Sequence, residues 1–178
     1  QIQSDADQPC TAGDGTLFFR GTENELNYLF RLDSTGHLQK VFDKTIVILH
    51  GCSIDAKWVL LAVDADDYSI QGPVWIAYNV TEKRIVPLCH VCWPQWSRDG
   101  GTFYAWKETT GYAIRITPGS ILPEFPAQGI TDENIATLKV AETFLDTKRV
   151  AFFPGNRSDT YAFFRETIQR NAYQIPLR

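Results

Sequence analysis

The chain has 178 residues, of which 44% are hydrophobic, 21% charged and 13% aromatic, with a formal net charge of −4. That length suits one domain with a sizeable core, and the composition is that of a globular protein, with a high aromatic share that leans towards strands. The negative balance and the lack of a long basic run argue against general nucleic-acid binding, and no apolar run approaches the roughly 18 residues of a membrane-spanning helix.

Residues 1–8 are polar, lack strand alternation, and belong to a chain that starts at Gln1 and contains no Met. The sequence therefore reads as a mature product or a piece of a longer protein. A first hairpin is expected from Thr16–Arg20 to Asn27–Leu32, with Leu38–Phe42 as its outer strand. The apolar run Thr45–Leu49 precedes a second hairpin, Trp58–Val63 to Val74–Asn79, followed by the outer strand Arg84–Leu88. Val91–Trp96 and the turn Ser97–Gly101 lead into a third hairpin, Thr102–Lys107 to Tyr112–Ile116. Pro118–Gly129 is rich in Pro and Gly and reads as an inserted loop. Thr131 or Asp132 then looks like the N-cap of a helix of one or two turns reaching about Leu138, and Lys139–Phe144 returns as an outer strand. Arg149–Phe153 precedes a fourth hairpin, Tyr161–Arg165 to Ala172–Leu177.

The four hairpins share one plan: a turn, an aromatic-rich strand, a polar turn and a second alternating strand. Arg20, Val63, Lys107 and Arg165 hold equivalent places, at separations of 43, 44 and 58 residues. A period in the low forties fits a four-stranded propeller blade, and the insertion lengthens the last interval. The expected fold is all-β: a β-propeller segment of about four antiparallel blades over 10–43, 44–88, 89–145 and 146–178, in a single unit. Phe18, Trp58, Phe103 and Phe163 are placed at equivalent positions and expected to pack between adjacent blades.

The turn Trp96-Ser97-Arg98-Asp99-Gly100-Gly101 resembles the Trp-Ser-Pro-Asp-Gly-Lys turn of TolB-like and WD-repeat-like propellers. Cys52-Ser53-Ile54-Asp55-Ala56-Lys57 is a degenerate copy, and Cys10-Thr11-Ala12-Gly13-Asp14-Gly15 a more degenerate one. The C-terminal run, Tyr161–Arg165 through Gln169–Leu177, resembles the closing segment of propellers fused behind bacterial serine/threonine protein kinases. The resemblance implies a ring of roughly six to eight blades. It also implies use in protein contact or ligand sensing, as the sensor half of a larger bacterial signalling protein in an extracytoplasmic setting, although no kinase signature occurs in this chain.

Catalytic signals are sparse. There is no Gly-x-Ser-x-Gly elbow, Ser53, Ser97 and Ser158 lie in turns, and His37 sits in the turn Ser34–His37. The expectation is a non-enzymatic module for protein interaction or ligand sensing, without a cofactor; the alternative is the non-catalytic propeller of a hydrolase. The one local set of metal-ligand types is Cys89, His90 and Cys92, with His50 and Cys52 in the preceding blade. It lacks the usual second pair of a zinc site. The four cysteines are read first as free or structural thiols, with a disulfide and then a metal as alternatives. Cys10 and Cys52 occupy equivalent places in adjacent blades, which usually lie too far apart for a disulfide. Asp64-Ala65-Asp66-Asp67 lacks the order of a calcium loop. Asn79-Val80-Thr81 and Asn156-Arg157-Ser158 are glycosylation sequons only in a eukaryotic secretory pathway.

Strand counting leaves the first blade without an inner strand and the last without an outer one. The expectation is an unclosed segment that exposes aromatic faces such as those bearing Phe18 and Phe163. It would pair with a protein partner, with a missing N-terminal half of the propeller or with a second copy, and would insert in no membrane.

Overall fold

Alternating apolar strands separated by short polar turns fold here as consecutive antiparallel ladders. The computed structural model describes residues 6–65, 73–90, 92–107, 110–135, 138, 140–145, 150–154 and 161–165. The first blade is β1 (Asp7–Thr11), β2 (Leu17–Glu23), β3 (Leu26–Leu32) and β4 (Leu38–Lys40), hydrogen-bonded in that order. The second is β5 (Ile48–Cys52), β6 (Trp58–Val63), β7 (Val74–Asn79) and β8 (Arg84–His90). The third is β9 (Trp93–Trp96), β10 (Thr102–Lys107), β11 (Thr110–Arg115) and β12 (Val140–Leu145). A fourth sheet pairs β13 (Val150–Pro154) with β14 (Tyr161–Arg165); the strand expected over Ala172–Leu177 lies outside the described residues. The chain is thus an all-β propeller segment. No helix among the described residues is long and apolar enough to cross a membrane.

Two strand expectations change. The first blade does have an inner strand, β1, paired with β2 through Asp7↔Arg20, Cys10↔Phe18 and Thr11↔Leu17. Its signature is obscured because Gln8 has φ 51, Pro9 offers no N–H, and the register shifts between Asp7 and Cys10. The inner strand of blade two is Ile48–Cys52 rather than Thr45–Leu49, with a register shift around His50. The helix of one or two turns expected at Thr131 is a single capped turn. Thr131 N–H donates to Asn134 Oδ1 (2.9 Å), Asn134 N–H to Thr131 Oγ1 (3.2 Å) and Ile135 N–H to Thr131 O (3.0 Å).

In the first three blades the turn between the first two strands is one repeated device. Ser97 N–H donates to Thr102 O and Gly100 N–H to Ser97 O, while Ser53 N–H donates to Trp58 O and Ala56 N–H to Ser53 O. The serine hydroxyl donates to the turn aspartate, Ser97 to Asp99 (2.6 Å) and Ser53 to Asp55 (2.5 Å), and accepts from Thr102 N–H and Trp58 N–H. In blade one Ala12 replaces the serine, and Asp14 instead accepts from Thr16 N–H and Oγ1. Gly15, Ala56 and Gly100 share the left-handed conformation, which two glycines adopt freely.

The first turn is also one residue shorter, closing from Ala12 to Thr16 rather than across Ser53–Trp58 or Ser97–Thr102. This corrects the alignment of the aromatics. Turn-based register places Leu17, Val59 and Phe103 together, and Phe18 with Leu60, so Phe18 and Phe103 lie on opposite blade faces. A one-residue slip in a strand always exchanges the faces.

The core lies in the seams. Phe18 and Leu29 of blade one pack with Phe42, Ile46, Val59, Leu61 and Tyr78. Phe18 is therefore fully buried against blade two and exposes no open face. Trp58, Leu60, Trp75 and Leu88 of blade two pack with Phe103 and Ile116 of blade three. The side chain of Phe163 lies outside the described residues.

Polar and covalent links reinforce the first seam. A disulfide joins Cys10 to Cys52, with Cα atoms 5.9 Å apart. Leu49 N–H donates to Gln8 Oε1 (2.8 Å), Gly13 N–H to Ile54 O (2.8 Å), Ile46 N–H to Asn27 O (2.9 Å) and Tyr78 Oη to Val41 O (2.9 Å). Arg20 pairs with Asp7 and donates to Val47 O. A second disulfide, Cys89–Cys92, joins the end of β8 to the residue before β9.

The two disulfides close loops of very different size, with sequence separations of 42 and 3. Loop-closure entropy gives about 4 kcal/mol for the first and about 2 kcal/mol for the second. Replacing Cys10 and Cys52 together by Ser is expected to lower the unfolding free energy roughly twice as far as replacing Cys89 and Cys92, measured by denaturant titration. Equal losses would contradict this assignment.

Candidate functional site

The inner strands β1, β5 and β9 lie beside one another, and β5 touches both neighbours. Where they run into their turns they leave a cleft of about 360 Å³. Leu60 and Trp96 give it an apolar floor, the Cys10–Cys52 disulfide one wall, and Ile121 of the inserted loop another. Thr11, Gln95 and Arg98 supply polar side chains at exposed positions. Trp96 is fixed by its Nε1–H, which donates to Ile121 O (2.8 Å). That bond also ties the insertion to blade three. The insertion reaches blade two as well, where Ile130 N–H donates to Leu88 O (2.6 Å). At Gly129 a Cβ would fall 2.7 Å from Leu88 O, so only glycine permits this approach.

His50 lines the cleft from the irregular part of β5. Its ring packs 5.5 Å from Trp75 and 5.8 Å from Trp93, whose rings are 5.3 Å apart. Burial among these rings disfavours the imidazolium and lowers the His50 pKa below its ordinary value. Trp75 is buried, whereas Trp93 is 52% exposed and leaves an aromatic edge at the start of β9.

The metal-ligand candidates divide. Cys52 is bonded to Cys10, and Cys89 to Cys92, so neither pair offers a thiolate in the oxidised chain. This corrects the reading of the cysteines as free thiols; the side chain of Gln8 and the bulged β1 draw blades one and two close enough to bridge. His50 lies in the cleft, while His90 ends β8 with a buried Nε2 that has no hydrogen-bond partner among the described residues. Among the described residues no group of three or more His, Cys, Asp or Glu comes together. His37 is exposed, near Asp33 at 3.9 Å. Asp64 is exposed, and Asp66 and Asp67 lie outside the described residues. Asn79 is 3% exposed, and its Oδ1 accepts from Thr81 and Glu82 N–H, so this sequon serves the turn. Ser158 and Asn156 lie outside the described residues.

Thr11, Gln95, Trp96 and Arg98 were not legible as site residues. The Trp96–Gly101 turn signalled fold, and nothing in its wording says that three such turns meet around one cleft.

No protein-family model matches the chain, and no curated protein matches it. Solved structures similar to it include the β-propeller domain of the Trilobed protease from Pyrococcus furiosus, which has an open velcro topology. That match has 9% identity and a TM-score of 0.50, covering 84% of this chain and 45% of the other. TolB from Acinetobacter baumannii matches at 16% identity over 63% of this chain and 27% of its own, with a TM-score of 0.44. A prolyl endopeptidase matches at 14% identity over 67% of this chain and 21% of its own, with a TM-score of 0.48. The chain spans less than half the length of each of these structures, and at such identities the likeness is one of fold: a β-propeller.

The lowered His50 pKa has a defined sign. The unfolded chain takes up the proton near pH 6.5, whereas the folded chain resists it to lower pH. The His50 contribution is fully present above pH 6.5 and is lost as pH falls towards the depressed folded value. Unfolding midpoints measured between pH 7.5 and 5 are expected to decline in the parent chain and to decline less in His50→Gln. Parallel profiles would overturn the assignment.

Proposed function

We propose that this chain is a non-catalytic propeller module that binds a protein partner at the cleft shared by its first three blades. The carrying observation is the cleft itself, with an apolar floor and a polar rim formed by strands that the seams hold in place. The same site suits the sensing role implied by the sequence resemblance, as part of a larger bacterial signalling protein. Two disulfides support an oxidising, extracytoplasmic setting.

Several features favour binding over catalysis. The Ser53 and Ser97 hydroxyl protons are directed to Asp55 and Asp99 of their own turns, and both oxygens accept a backbone N–H. These serines act as turn locks, with no hydrogen bond to His50 among those of the described residues.

Gln95 lines the cleft from an exposed position in β9, so a larger side chain there fills the cleft without entering the core. Gln95→Trp is expected to weaken binding of a partner identified by native co-purification at least tenfold, as read by calorimetry with purified proteins. The melting temperature should stay within about 2 °C, as is usual for a surface substitution. Undiminished binding would defeat the reading.

The second reading is the non-catalytic propeller of a hydrolase, the setting of the Pyrococcus furiosus protease domain. Both readings expect only background turnover of ester, peptide and nucleotide substrates by the isolated chain. Turnover abolished by a single substitution in this chain, such as His50→Gln, would overturn both.

A further inference from the structure

The two disulfides stand in opposite environments. Cys89 and Cys92 are only 5% and 3% exposed. The inserted loop covers them: Ile130 bridges to Cys89, and Thr131, Asp132 and Ile135 surround the small space of about 10 Å³ beside the pair. Cys10 and Cys52 are half-buried, and both line the open cleft of about 360 Å³. Thiol–disulfide exchange needs in-line access of a thiolate to sulfur, so these environments dictate different kinetics.

We propose that the Cys10–Cys52 disulfide is a site of reversible thiol exchange, with the cleft admitting a low-molecular-weight thiol of amino-acid to tripeptide size. The thiolate attacks one of the two sulfurs. A new S–S bond forms between the small thiol and that cysteine, and the Cys10–Cys52 bond breaks. Its electron pair leaves on the other cysteine, which takes up a proton from water. One disulfide is exchanged for another, and no external oxidant is consumed. Thr11 and Gln95 at the rim offer a hydroxyl and an amide to the polar ends of such a thiol. The exchange opens the covalent link between blades one and two. The hydrogen bonds from Gly13 to Ile54, from Leu49 to Gln8 and from Ile46 to Asn27 remain to hold the seam. The cleft-lining bond therefore has the access of an exchange site, whereas the shorter-range bond is shielded.

The test treats the oxidised 178-residue chain with excess cysteine or glutathione under native conditions, with acid quenching, alkylation and peptide mapping over time. Tryptophan fluorescence followed in parallel reports folding. Mixed disulfide and alkylated thiol are expected on Cys10 and Cys52 at least tenfold faster than on Cys89 and Cys92, before any fluorescence change. Gln95→Trp, which fills the cleft, should slow the Cys10–Cys52 reaction at least fivefold. Equal rates at the two disulfides, earlier reaction of Cys89–Cys92, reaction only on unfolding, or an unchanged rate in Gln95→Trp would each overturn the proposal. These readouts need no protein partner, so they are separate from the test of partner binding.

Discussion

The second blade of this chain is apolar on both faces, and that constraint organises everything else. In β6 five successive residues, Trp58 to Ala62, are buried. Trp58, Leu60 and Ala62 face blade three, while Val59 and Leu61 face blade one. A sheet with two apolar faces needs a neighbour on each side, so the blades stack and their inner strands come to lie in a row. The site exists because of that stacking, since its walls come from three different blades.

The two seams solve the same burial problem differently. Between blades one and two, apolar packing is supplemented by a disulfide, by main-chain bonds such as Gly13 to Ile54, and by Arg20 reaching Val47. Between blades two and three, an aromatic-rich cluster carries the packing and the inserted loop straps the outside through Trp96 and Ile130. The tight first seam and the strapped second one leave a space where the three inner strands meet their turns. That space is the cleft.

The recurrent turn links sequence to site. In blades two and three its serine and aspartate satisfy the backbone groups at the end of the inner strand, and the left-handed residue redirects the chain into the second strand. The same geometry that closes the hairpin presents Arg98, Asp99 and Ile54 outward at the cleft mouth. Because the locking groups are consumed within the turn, the intervening side chains of Ile54 and Arg98 are the ones presented at the cleft mouth.

By itself the sequence determined the blade. Strand alternation, turn residues and a period in the low forties are local or evenly spaced signals, so the first three hairpins, the inserted loop and the outer strand beyond it could be read directly. β1 escaped because Gln8 and Pro9 break the alternation that marks a strand. The face assignment of Phe18 slipped because one residue fewer in the first turn inverts every side chain after it. Pairing of Cys10 with Cys52, burial of His50 between Trp75 and Trp93, and the meeting of Thr11, Gln95 and Trp96 around one cleft were decided only by tertiary structure. Each depends on the distance between blades, which is set by how side chains from both sheets fill the seam and leaves no pattern within either strand alone.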